Sequence, residues 1–317
     1  MKKVLRKSGK MLLRVLAGLL VLLLLLAAYH HLRLVWEAGQ VKPVGQRVMV
    51  DGYNMNVYAQ GQKRSSDSPT VVLLSGSGMT APIYEYKVLY APLSASYRVA
   101  VVEKFGYGYA DDSLLARDVA TMVEEDRAAL AAAGEQAPYV LMPHSMSALE
   151  AIYWAYTYPG EIAGIIGLDM AVPASYTSDN SATIGLLRMG TFFGLHRIPL
   201  FSPVSSLGLT AEEYRQSKLL NAKNALDTAV YNECLAVMQN AKTTMDMDVS
   251  AVPVLLFTTN LNGAENSASW VAAQDAFAAG QKTCTQVHYE CGHDLYHEKT
   301  EEMLPQILKF LNSVQHP

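Results

Sequence analysis

The chain has 317 residues, with 25 Lys plus Arg against 29 Asp plus Glu and a formal net charge of −4. Half of it is hydrophobic and 17% is charged, with 21 Gly and 13 Pro, which excludes a disordered or fibrous protein. The charge is uneven: residues 1–33 hold seven basic side chains and no acid, leaving 18 bases against 29 acids, or −11, in a body with no broad basic face for nucleic acid.

After the basic run MKKVLRKSGK, residues 11–29 are apolar except for Arg14. As a helix this run extends about 28 Å, close to the hydrocarbon thickness of a bilayer. A cleaved signal peptide needs small residues at −3 and −1, but cleavage after Ala27 or Ala28 puts Leu25 or Leu26 at −3. The run therefore reads as an uncleaved single transmembrane anchor, ahead of a cleaved signal or a buried core helix. The flanking positive charge places the N-terminus in the cytoplasm and the body on the far side of the membrane. The expected division is a basic N-terminus and anchor over 1–33, a linker over 34–48, and one large domain over 49–317.

Within the body, QRVMVDGYNMNVYAQ reads as a hairpin turning at Asp51-Gly52, followed by a polar loop at 61–69. Wholly apolar strands follow at TVVLLS, 97–103, 139–143, 162–169 and 252–259, with a weaker candidate at 285–290. Helical patterns lie between them at 117–134 and 147–159. This alternation predicts a mostly parallel sheet with helices on both faces. It lapses once, from about 171 to 250, where only helix-like segments occur and a helical insertion over one sheet end is expected. Cys234, Cys284 and Cys291 are too few for a disulfide framework and lack zinc spacing, so neither a metal nor a cofactor is expected. Cys284 and Cys291 flank one strand, about 23 Å apart if extended, beyond disulfide reach.

The strongest chemical signal is Tyr139-Val140-Leu141-Met142-Pro143-His144-Ser145-Met146-Ser147. Here an apolar strand turns into a helix with a serine at the turn, as a nucleophile elbow requires. Small residues two before and two after such a serine avoid steric clash. The usual G-x-S-x-G is P-x-S-x-S here, and a serine that caps the following helix is the competing reading. Three further segments stand in order around it. They are Leu74-Ser75-Gly76-Ser77-Gly78, then Glu103-Lys104-Phe105-Gly106-Tyr107-Gly108-Tyr109-Ala110-Asp111, then Cys291-Gly292-His293-Asp294 with His297-Glu298.

Together these motifs resemble the α/β-hydrolase superfamily along nearly all of residues 49–312. They are similar to its H-G-x-G oxyanion loop, with Ser75 in place of His, its D-x-x-G-x-G-x-S-D segment, and its G-H-x-x-x-x-E histidine loop. The resemblance implies an α/β-hydrolase fold with a helical lid, Ser145 as nucleophile and His293 as base. It also implies an oxyanion hole made by the backbone N–H groups of Ser77 and Met146. His144 is expected to support the turn, and His196, His288 and His316 have no catalytic role. Where most relatives carry the acid, this chain has Asn262, which cannot stabilise an imidazolium by charge. Glu265 lies in a polar loop, whereas Asp169 ends an apolar strand at the sheet's carboxyl edge, a position some relatives use. Asp169 is therefore the expected acid.

A serine in the elbow argues against dehalogenase and epoxide hydrolase chemistry, which in this superfamily uses an aspartate there. The expected activity is that of a serine hydrolase acting on an ester, thioester or amide of a small or lipid-like substrate, with an ester favoured. Met189, Phe192 and Phe193 of the insertion suit either an acyl chain or plain packing. Glu212-Glu213 suits either a substrate amine, as in aminopeptidase-like relatives, or a solvated helix start after Thr210. A lipase acting on membrane lipid and a membrane-tethered, non-catalytic binding module are the alternatives.

Overall fold

The computed structural model describes residues 2–65, 67–264 and 267–314. Helix α1 (Lys2–Ala38) includes the apolar run and continues past it, so the segment expected as a linker from 34 begins as helix. Within its stretch Gly9–Ala38 an 18-residue window has a mean hydropathy of 2.7 and lies almost entirely outside the protein core, so the helix is long and apolar enough to cross a membrane.

The body is built on one sheet of β1 (Gln46–Val50), β2 (Tyr53–Gln60), β3 (Thr70–Leu74), β4 (Val99–Glu103), β5 (Tyr139–Pro143), β6 (Ile162–Leu168), β7 (Val254–Thr259) and β8 (Cys284–Tyr289). Their spatial order is β1-β2-β4-β3-β5-β6-β7-β8. β2 pairs antiparallel to β1 and β4, and the remaining neighbours are parallel. Every residue of β3, β4, β5 and β7 is buried, which is why these strands read as unbroken apolar runs.

Helices cover both faces and form two cores. On one face α3 (Val119–Ala132) and α4 (Ala148–Thr157) pack through Val123, Leu130, Leu149 and Trp154. On the other, α2 (Lys87–Leu93) and the C-terminal α9 (Thr300–Val314) pack through Leu89, Leu93, Met303, Ile307 and Leu311. Between β6 and β7 the chain forms no strand. It instead makes α5 (Ser181–Phe192), α6 (Ala211–Asn224) and α7 (Thr228–Thr244), the helical segment expected over 171–250. Thr210 and Asp227 cap α6 and α7 by accepting from the N–H groups of Glu213 and Val230. Helix α8 (Ser267–Ala279) then leads to β8.

Candidate active site

Ser145, Asp169 and His293 lie just beyond the carboxyl ends of β5, β6 and β8, the edge at which ligands bind in open parallel sheets. Ser145 has φ +53°, the strained turn expected of an elbow. Its neighbour Ser147 explains the departure from glycine. The Ser147 hydroxyl accepts 3.0 Å from His144 N–H, and its one proton lies within reach of Leu74 O at 3.0 Å and His144 O at 2.9 Å, so it ties the turn to β3. On the other side a Cβ on Gly76 would stand 2.7 Å from His144 Nδ1 and 3.0 Å from Ser145 Cβ, so only glycine lets the loop after β3 approach this closely.

His293 Nε2 lies 2.8 Å from Ser145 Oγ, and His293 Nδ1 lies 2.6 Å from Asp169 Oδ2. Asp169 is fully buried and every lone-pair direction is occupied. Its Oδ1 accepts 3.0 Å bonds from Thr259 N–H, Trp270 Nε1–H and Gln274 Nε2–H, and its Oδ2 accepts 2.9 Å from Thr259 Oγ–H. Burial by itself would raise the carboxyl. The bonds from His293, Trp270 and Gln274 outweigh it and hold the group below its ordinary range. An ionised carboxylate only accepts, so Nδ1 carries the imidazole proton and Nε2 is free to accept from the serine hydroxyl.

The histidine loop is fixed from two sides. Glu298 accepts a 3.0 Å bond from Gly292 N–H, and Asn262 N–H donates 3.1 Å to Cys291 O. Asn262 thus shapes the loop through its backbone, and Glu265 lies outside the described residues. The His144 ring packs 4.6 Å from that of His293, with Nε2 3.3 Å from the His293 carbonyl. Burial and the neighbouring His293 push His144 down to about 4, so it is neutral at ordinary pH.

The cavity above Ser145 has a volume of about 610 Å³. His293, Ser77 and His144 line it on the sheet side, and lid residues from Phe201 to Ser205 close it. Ser77 Oγ sits 3.1 Å from Cys234 Sγ of α7, joining the loop after β3 to the lid. Met189, Phe192 and Phe193 are not among its lining residues. Glu213 pairs with Lys87 at 2.6 Å and Glu212 with Arg215 at 2.7 Å, and neither reaches the cavity. His196 bonds the Ala222 carbonyl inside the lid, and His288 contacts Thr258 on the sheet. His316 lies outside the described residues. No group of His, Cys, Asp and Glu suited to a metal occurs among the described residues.

Trp270, Gln274 and Thr259 were not found from the sequence. Trp270 and Gln274 are spaced i, i+4 on one face of α8, and that polar pair opposite an apolar strand end was the available signal.

No family model matches the chain. It is 35% identical over 303 residues to the uncharacterized protein YbdG of Bacillus subtilis, covering 90% of this chain and 91% of YbdG. A membrane phospholipase A described as a bacterial virulence factor superposes with a TM-score of 0.62 at 22% identity, covering all of both chains. Epoxide hydrolase VrEH1 of Vigna radiata superposes at 0.64 with 16% identity, covering 85% of this chain and 98% of that one. The chain belongs to one family with YbdG and has the α/β-hydrolase fold. Within this fold a serine stands at the turn after β5, and the Asp169 carboxylate follows β6 while Asn262 lies after β7.

Proposed function

We propose that this α/β-hydrolase is a membrane-anchored serine hydrolase that cleaves an ester, thioester or amide through an acyl-enzyme, with an ester favoured. The observation that carries the reading is the unbroken relay from Ser145 Oγ through His293 to the buried Asp169 carboxylate. Ser145 Oγ attacks the carbonyl carbon while His293 Nε2 takes its proton. The backbone N–H groups of Ser77 and Met146 hold the resulting oxyanion. The intermediate collapses as the imidazolium returns the proton to the leaving group, and acyl-Ser145 remains. Water then gives a proton to His293 and attacks the acyl carbon; the intermediate expels Ser145 Oγ, which takes that proton back from His293, and the acid is released. No step calls for a cofactor or metal.

The anchor reading rests on the apolar stretch of α1, and the basic residues before it support a cytoplasmic N-terminus with the hydrolase domain across the membrane. The test is hydrolysis of a soluble short-chain p-nitrophenyl ester by the detergent-purified full chain. Turnover that disappears in Ser145→Ala supports the reading. Equal rates in the two proteins, or no turnover of esters, thioesters or amides by the folded chain, would refute it in favour of a binding module.

A further inference from the structure

The lid carries an apolar face that neither core uses. On α5, Leu186, Leu187, Met189 and Phe192 are each more than half exposed, and in the following loop Leu200 is 83% and Phe201 63% exposed. Exposed apolar side chains gathered on one lid segment in this way mark an interaction surface.

The patch is continuous with α1. The Phe192 ring lies 5.1 Å from that of His31, and a Cβ on Gly194 would fall 2.7 Å from His30 Cβ. Arg197 clamps the two elements by donating 2.7 Å to Glu37 Oε2 and 2.7 Å to His30 Nδ1. Gln216 Nε2–H of α6 donates 3.0 Å to Gln40 O just past the helix. These contacts fix the height of the lid relative to the anchor. His31 is two residues past the apolar run, about 3 Å further along the helix, at the depth where that run leaves the hydrocarbon.

The patch also borders the way into the site. Phe201 lines the Ser145 cavity. Ser202, Pro203, Val204 and Asn221 belong to its wall and to that of a second cavity of about 480 Å³, which opens beside Trp36 at the end of α1. The second cavity is lined by Arg33, Arg197, Arg215 and Lys218; Glu37 pairs with both Arg33 and Arg197 and Glu212 pairs with Arg215, which leaves four cations against two carboxylates.

We propose that the face of α5 and the loop at 198–201 seat in the surface of the bilayer that α1 crosses. The substrate is then a membrane-borne acyl amphiphile with an anionic head, whose ester enters the Ser145 cavity past Phe201. This rests on the reading of the chain as a membrane-anchored serine hydrolase and names its substrate class. A lipid surface is the occupant because the patch joins the anchor side by side at the interfacial depth, and an exposed Trp36 and a cationic cavity stand where head groups lie.

The test uses the full chain reconstituted in vesicles of phosphatidylethanolamine and phosphatidylglycerol. Spin labels are placed through Leu186→Cys, Leu200→Cys and, on the body, Leu114→Cys, in a Cys284→Ser background. Labels at 186 and 200 should collide with oxygen more than with a water-soluble nickel chelate, and the label at 114 should show the reverse. The double variant Leu186→Asp, Leu200→Asp should keep its rate on a soluble short-chain ester and lose about tenfold or more on an anionic long-chain ester held in vesicles. Labels at 186 and 200 as open to the nickel chelate as that at 114 would overturn the proposal. So would labels shielded from both reagents, which indicate a protein contact, an equal loss on both substrates, or an unchanged vesicle rate. Lipid-facing labels on a chain inert towards all esters would support the docking surface while refuting the hydrolase reading.

Discussion

Asp169 and His293 stand 124 positions apart in the chain, yet the imidazole Nδ1–H donates a 2.6 Å hydrogen bond to the buried carboxylate Oδ2. That bond selects the tautomer in which Nε2 faces Ser145 as an acceptor. Asp169→Asn keeps the size of the side chain but can present an N–H to Nδ1 and so select the wrong tautomer. Its kcat should fall by about ten-thousandfold, with little change in KM for a short ester. Near-normal kcat would remove Asp169 from the relay.

Trp270 holds the other oxygen of the same carboxylate. Trp270→Phe removes one donor to a buried charge, a bond that contributes about 1.5–3 kcal/mol. The expected result is a loss of about tenfold in kcat/KM together with an acid limb moved to higher pH. A carboxylate with one donor fewer holds a proton on the neighbouring imidazole more tightly. A lower rate with an unmoved pH profile would mean that Trp270 acts by packing alone.

Much of the fold was legible because strands buried on both faces leave runs such as Val71–Leu74 and Val254–Phe257 with no polar interruption. The elbow and the histidine loop were legible from their small residues, and Asp169 from its position at an apolar strand end. The groups that hold Asp169 were not, since Thr259, Trp270 and Gln274 come from two later elements whose approach is set by packing. Nor was the docking of α1 on the lid. Glu37 and Arg197 are 160 positions apart and leave no local pattern.

Lys104 is buried between two carboxylates, bonded to Glu150 of α4, the helix that leaves the elbow, and at 2.5 Å to Glu233 of the lid helix α7. Removing the central cation leaves two buried acids facing each other, a change that costs about 3–5 kcal/mol. Lys104→Met should therefore lower the thermal midpoint by at least about 5 °C. An unchanged midpoint would show that the lid is held by its apolar contacts alone.

Six carboxyls withdrawn from water are pushed above their ordinary range, chiefly by burial: Glu85 to about 8, Glu103, Glu125 and Asp227 to about 7, and Asp126 and Glu150 also upward. Above about pH 5 the unfolded chain has released these protons and the folded chain keeps them, so their contribution to stability falls as pH rises. His144 and His196 are pushed down by burial and act in the opposite sense below about pH 6.5. The carboxyls outnumber them. Thermal unfolding of the detergent-solubilised full chain should therefore give a lower midpoint at about pH 8 than at about pH 6, and a higher one would contradict this assignment of buried charge.

The central claim is that Ser145 is a nucleophile activated by His293. Its most direct measurement is mass spectrometry of the full chain after reaction with a fluorophosphonate, with the adduct mapped by peptide. The account predicts a single phosphonyl adduct on Ser145, absent in Ser145→Ala and strongly slowed in His293→Ala. A folded chain that takes up no probe, or takes it up on another residue, would contradict it.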